Sequence, residues 1–319
     1  FNAQQIKFEE YDLPNGLHVI LHQDNSAPVV TTSVMYHVGA KDEAAGRTGF
    51  AHFFEHLLFE GTKNIKRGEW FKLVSSNGGS NNANTSLDRT YYYETFPSNN
   101  EQLGLWMEAE RLRHPVINQI GVDTQREVVK EEKRLRMDNQ PYGGLFNAIL
   151  TTLFKKHPYK GTVIGSMEDL NSAKLEEFNA FFKKYYIPNN ATLVVAGDIK
   201  PEQTKKWINE YFGSIPKGTP ITRNFPKETP ITQEFEETIY DANIQIPAYI
   251  FAYRTPAEKE RDAYILSMLG SYLSKGKSSV LYKKLVDNEK KALAVEAFNL
   301  GLVDHSISVS YTHLRAHET

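Results

Sequence analysis

In GFAHFFEHLLFEGT, residues 49–62, the polar residues His52, Glu55 and His56 stand among phenylalanines and leucines. Successive residues of an α-helix turn by about 100°, so a helix here points His52 and His56 the same way, with Glu55 beside them. Two imidazoles at that spacing can reach one zinc ion at about 2 Å each. The intervening glutamate is poorly placed to ligate the same ion. It is well placed to take a proton from a water at the open coordination position. As plain core residues the three are hard to explain, because buried polar groups without partners cost free energy.

A zinc centre that does chemistry needs a third protein ligand. The stretch VDTQREVVKEEKRLRM, residues 122–137, has helical periodicity and offers Glu127, Glu131 and Glu132. With Val128 at the origin of a helical wheel, Val129 lies at about 100° and Leu135 at about −20°. That apolar stripe contains Glu132 at about 40°, while Glu131 at about −60° is on its margin and Glu127 at about −100° is outside it. The wheel thus predicts a Glu132 carboxylate on a buried face, where it needs a cation, either a metal or an arginine. Gln125, at about 60°, shares the face and is expected to support the ligands from behind by hydrogen bonding.

H-x-x-E-H is the inverse of the commoner H-E-x-x-H zinc motif. With HFFEHLLFEGT, NNANTSLDRTYYY and VVKEEKR in this order and spacing, the sequence resembles the pitrilysin/insulinase family of zinc metallopeptidases. That family includes the mitochondrial processing peptidases, and the likeness is strongest to its smaller bacterial members. It runs from about residue 8 to residue 308 and takes in HPYKGTVIG, residues 157–165, where His157 is given a structural role. The family's spacing for its third ligand falls on Glu132, the residue the wheel selects. One departure is Gln125, where many relatives carry a glutamate near the metal.

The resemblance implies one zinc per chain, held by His52, His56 and Glu132, with Glu55 as general base. It implies a zinc-dependent endopeptidase acting on peptides or unfolded polypeptides. The substrate would add as a strand beside Asn82, Ala83, Asn84 and Thr85, an arrangement that gives affinity through main-chain pairing. The partner would be the second half of a peptidase chamber, fused downstream or separate. An alternative is a catalytically silent peptide-binding or assembly subunit, against which the intact motif argues. A metal lyase is a further alternative, since the motif also occurs in a much shorter ribosylhomocysteine-cleaving enzyme.

The elements that must position these residues begin with strands at 18–24 and 29–38, followed by a glycine- and charge-rich loop. Residues 75–86, SSNGGSNNANTS, have loop composition and lead into the strand RTYYYETF. Helical patterns cover 100–113, 122–137 and 200–213, and ATLVVAGDI at 191–199 is a buried strand. Phe53, Phe54, Tyr91, Tyr92 and Tyr93 are expected mainly in the core.

Residues 214–232 are rich in proline, lysine and threonine and mark a linker. Beyond it, IPAYIFAYRTP and EKERDAYILSMLGSYL repeat the order strand, charged loop, apolar helix without the histidines. The expected class is α+β in tandem domains, each a mainly antiparallel sheet covered by helices. Domain boundaries are expected at 1–213 for the zinc-binding catalytic domain and 233–308 for the start of a second, inactive homologue. Residues 309–319, VSYTHLRAHET, resemble a translated sequencing adapter and are expected to be an appended tail, which removes His313 and His317 as ligands.

Composition narrows the remaining classes. Formal charge is −2 with acids and bases mixed, so no electrostatic footprint for nucleic acid is expected. The absence of cysteine excludes disulfides, thiolate metal sites and a cysteine nucleophile. No apolar run approaches the length of a membrane span. The opening FNAQQ has the character of the end of a secretory signal, which favours a bacterial periplasm or cell envelope over the cytoplasm.

Overall fold

The structure, a computed structural model, describes residues 5–314. In chain order, β1 (Glu9–Asp12), β2 (His18–Gln23) and β3 (Val29–Tyr36) lead to the helices α1 (Phe50–Leu57) and α2 (Trp70–Ser76). Next come β4 (Ser80–Thr85), β5 (Thr90–Pro97), α3 (Glu101–Arg113), α4 (Gln119–Lys133) and α5 (Leu145–Leu153). The helices α6 (Met167–Ser172) and α7 (Leu175–Tyr185) precede β6 (Ala191–Gly197) and α8 (Pro201–Phe212). The last elements are β7 (Ala248–Thr255), α9 (Arg261–Ser274), β8 (Ala292–Leu300) and β9 (Ser306–Leu314). The α+β class expected from sequence is what the chain adopts.

By internal contacts the chain divides into residues 1–131 with 161–225, and residues 132–160 with 226–319. The first unit holds a sheet in the order β1-β2-β6-β3-β5-β4. Only β2 and β6 pair in parallel; every other neighbour is antiparallel. Strict alternation makes β5 a half-buried strand, with Thr90, Tyr92, Glu94 and Phe96 inward. Val30, Val34, Leu193 and Val195 on the adjoining strands complete the apolar face.

Two expectations change here. Residues 75–86 are not one loop, because α2 ends at Ser76 and residues 80–85 form the edge strand β4, paired with β5 from Ser80↔Thr95 to Thr85↔Thr90. Asparagine, serine and alanine are weak strand formers, so composition alone hides a strand that exists through its ladder with β5. The stripe expected on α4 also fails. Val128 is 44% exposed and Leu135, past the helix end, 55% exposed, while Gly121, Val122 and Val129 are buried.

The second unit holds a sheet in the order β7-β9-β8, antiparallel throughout, with α9 packed on β8. Val286, Ala292 and Val295 form a small core beneath it. Residues 309–314, set apart from the fold by the sequence reading, continue β9, and His313 pairs with Ala248 of β7. The alternation of VSYT suits a strand whatever its origin. His317 lies outside the described residues.

Among the described residues, 213–247 contain no helix or strand, and side chains pin the segment. Arg223 Nε donates to Asp42 Oδ1 at 2.5 Å in the first unit. In the second, Glu228 Oε1 accepts the backbone N–H groups of Lys155, Lys156 and His157 at 2.8, 2.5 and 2.7 Å.

Candidate metal centre

Helix α1 is short, and its two ends are fixed from outside. Its N-cap, Gly49, has φ +87°, and a Cβ there would lie 2.7 Å from the carbonyl oxygen of Ile164, so only glycine fits. Glycine has no side chain to cap the helix, and Glu43 takes that part. Its carboxylate accepts the N–H groups of Gly49 and Ala51, both at 2.9 Å. Burial drives the Glu43 carboxyl well above its ordinary pKa, against the pull of those two N–H groups.

At the other end, Arg111 Nη1 donates to the Leu58 carbonyl at 3.0 Å. Arg111 is fully buried, paired with Glu94 at 2.9 Å and Glu108 at 3.1 Å. The rings of Trp70, Tyr92 and Phe59 surround its guanidinium at 4.1, 4.2 and 4.5 Å. The Tyr92 hydroxyl donates to the Phe54 carbonyl at 3.0 Å. A hydrogen-bond acceptor at the positive end and a cation at the negative end both complement the helix dipole.

One face of α1 is core. Phe50 and Phe53 pack on Phe178 of α7 with ring centroids 4.6 and 4.5 Å apart, and Phe54 stacks on Phe181 at 5.2 Å. Phe53, Phe54 and Tyr92 are therefore core residues, while Tyr91 and Tyr93 are half-buried. The other face carries the polar residues.

His52 Nε2 and His56 Nε2 face each other at 3.3 Å. Ligand atoms of His52, His56 and Glu132 all lie within 4.8 Å of one another. Glu132 is in the last turn of α4, its side chain largely buried, and it also pairs with the exposed Arg136 at 2.7 Å. Two nitrogens bound at about 2.0–2.1 Å with tetrahedral angles sit about 3.3 Å apart, the separation found here. Two imidazoles and a carboxylate suit zinc, so the residues present fit that ion.

Glu55 is on the same helix as both histidines, and its Oε2 accepts the Thr85 hydroxyl at 2.6 Å. Gln125 Nε2 donates to Glu60 Oε1 at 2.5 Å, and Glu60 is also paired with Arg67. Asn82, Ala83, Asn84 and Thr85 all lie on β4, the edge of its sheet. Asn82 accepts the Ala83 N–H at 2.9 Å, and Asn84 accepts from Arg89 at 2.6 Å. His157 is buried in the second unit, where its Nδ1 accepts the Tyr159 N–H at 3.2 Å and its Nε2 lies 3.6 Å from Asp304.

Sequence reasoning missed Glu43, Arg111 and the link from Thr85 to Glu55. For Arg111 a signal existed: Glu108 and Arg111 at i, i+3 share a helix face with buried apolar residues.

Comparison with known proteins shows the family. The family model Insulinase (Peptidase family M16) matches residues 18–166, and Peptidase M16 inactive domain matches residues 172–312. A zinc protease from Helicobacter pylori, PqqE, is 34% identical over 306 residues, covering 94% of this chain and 68% of the relative. The chain belongs to the insulinase family, peptidase family M16. A crystal structure of a protease from Helicobacter pylori matches this M16 chain with TM-score 0.88 and 31% identity, over 98% of the chain and 76% of that structure.

The periplasmic protease PqqL from Escherichia coli has the same fold, with TM-score 0.80 at 22% identity, over 98% of this chain and 36% of that one. The M16 chain spans 64% to 68% of the length of the bacterial zinc proteases it matches.

Proposed function

We propose that this chain is the zinc-binding half of an M16 endopeptidase that hydrolyses peptides or unfolded polypeptides. The reading rests on one observation: donor atoms of His52, His56 and Glu132 converge within 4.8 Å, with Glu55 on the same short helix as both histidines. In this reading His52, His56 and Glu132 hold one zinc ion. When bound, zinc supplies Lewis acidity, lowering the pKa of a water and polarising the scissile carbonyl. Glu55 takes the proton of the attacking water and returns it to the leaving amine.

The peptide pairs with the free edge of β4 along Asn82, Ala83, Asn84 and Thr85, where the main chain supplies binding with little demand on sequence. Gln125 bonds to Glu60, which is not one of the three ligands, and takes no part in this reading. In sequence order the histidine-bearing domain is assigned residues 1–213 and the linker 214–232, although residues 132–160 group by contacts with the second unit. The partner is the other half of the chamber. The periplasm is the favoured compartment, by likeness to PqqL. Among the described residues no helix is long and apolar enough to cross a membrane.

Elemental analysis of the purified chain tests the reading, beside Glu132→Gln and Glu55→Gln. About one zinc per chain is expected in the wild type and in Glu55→Gln, and much less in Glu132→Gln. Peptide turnover should fall by about 10²–10⁴ in Glu55→Gln. A folded wild type that takes up no zinc would sink the proposal. Zinc without turnover, even with the partner half restored, would favour a silent peptide-binding subunit.

A further inference from the structure

Thr85 does something that neither zinc binding nor main-chain pairing requires. On β4 the side chains at 81, 83 and 85 are half-buried and those at 80, 82 and 84 are exposed. Thr85 therefore ends the strand with its side chain on the sheltered face, and its hydroxyl donates to Glu55 Oε2 at 2.6 Å. Threonine is stiff at χ1, and a hydrogen bond to a carboxylate is among the stronger kinds. Holding one oxygen fixes the plane of the carboxylate, and with it the direction in which the other oxygen presents its lone pairs.

Thr85 is itself held. Ser86 opens the turn into β5, its Oγ accepting the N–H groups of Asp88 and Arg89 at 3.2 Å. Asp88 pairs at 2.7 Å with Lys41, which is buried. The N–H groups of Ala40 and Lys41 donate to the carbonyls of Ser86 and Leu87 at 3.1 and 3.0 Å. Two residues further on, Glu43 grips the start of α1 through Gly49 and Ala51. Residues 40–43 thus fasten the end of β4 and the beginning of the helix that carries Glu55.

We propose that Thr85 is a positioning residue, locking the Glu55 carboxylate to the end of the peptide-pairing strand so that one strand aligns both the base and the scissile bond. This rests on the reading of Glu55 as base and of β4 as the docking edge. A peptide paired along β4 is then in register with the base without any contact to Glu55 itself. The strand that binds substrate also aims the proton acceptor.

Thr85→Val keeps the shape and removes the hydroxyl, while Thr85→Ser keeps the hydroxyl. In zinc-loaded full-length chain assayed with its partner half, Thr85→Val should lose about 10- to 100-fold in kcat, the effect of one hydrogen bond to a charged group. KM should stay within about twofold and zinc content should match wild type, with Thr85→Ser recovering most of the loss. Wild-type kcat in Thr85→Val, equal damage in Thr85→Ser, or loss of zinc would each overturn the proposal.

A second measurement needs no turnover. Urea unfolding of the zinc-free chain is compared for Thr85→Val, Glu55→Ala and the double variant. The double variant should shift the midpoint by less than the sum of the single shifts. Additive shifts would overturn the proposal even if the wild type hydrolyses peptides. Coupled shifts in a chain that hydrolyses nothing would refute the peptidase reading and leave the contact standing.

Discussion

Glu132 has two sets of neighbours. Its carboxylate lies with the two histidines, and it also pairs with Arg136, which is mostly in solvent. An exposed ion pair is worth at most about 1 kcal/mol, so Arg136 competes only weakly for the carboxylate. Removing it with Arg136→Ala should tighten zinc binding by no more than about fivefold, measured by competition with a chromophoric chelator. A large loss of affinity would show instead that Arg136 orients the carboxylate. At this scale the sequence was legible in part. His52, Glu55 and His56 stand out by spacing, while the distance from them to Glu132 carries meaning only through the family resemblance. The helical wheel reached Glu132 on a false premise, since Val128 and Leu135 face solvent.

At the scale of elements, α1 matters most, and side chains from outside the helix, Glu43 and Arg111, hold its ends. Arg111 is the more deeply committed of the two. Arg111→Leu would leave Glu94 and Glu108 buried without their cation, and should cost about 3–5 kcal/mol in urea unfolding. Arg111→Lys should recover little, because an ammonium cannot make the same forked contacts among three rings.

Glu43 gives a pH signature. Its carboxyl is raised above the ordinary value of 4.5, mainly by burial, so the folded state binds a proton that the unfolded state has released. The stability tied to that proton is fully present below pH 4.5 and is lost as pH rises through the folded pKa. Glu43→Gln removes this dependence. Its unfolding midpoint should gain on the wild type between about pH 4.5 and neutrality, and parallel curves would refute the assignment. The glycine- and charge-rich segment before α1 announced a loop, but not that Lys41 and Glu43 would leave solvent to grip two other elements.

For the whole molecule, large apolar side chains stay exposed on α9. Tyr264, Met268 and Tyr272 recur at every fourth position of α9 and are 64%, 73% and 67% exposed. A stripe of that kind favours association of copies in dilute buffer. Met268→Lys should lower the weight-average mass seen by light scattering at a given concentration, with little change in zinc content. Unchanged association would place the sticky surface elsewhere. The sequence reading foresaw the strand–helix echo that β7 and α9 form, but periodicity could not say which apolar residues remain uncovered.

What the sequence determined by itself was everything carried by short-range pattern. The H-x-x-E-H spacing, the β-branched strands, the helices flanking the motif and the change of composition after residue 213 all depend on neighbours along the chain. Tertiary structure alone decided that NNANT would be an edge strand, since its hydrogen bonds come from β5 rather than from its own propensity. It also decided the contacts that aim and brace the motif. Thr85 meets Glu55 across 30 residues, and Arg111 meets Leu58 across 53. Contacts between distant segments leave no period in the sequence, because they are set by which surfaces the packed elements bring together.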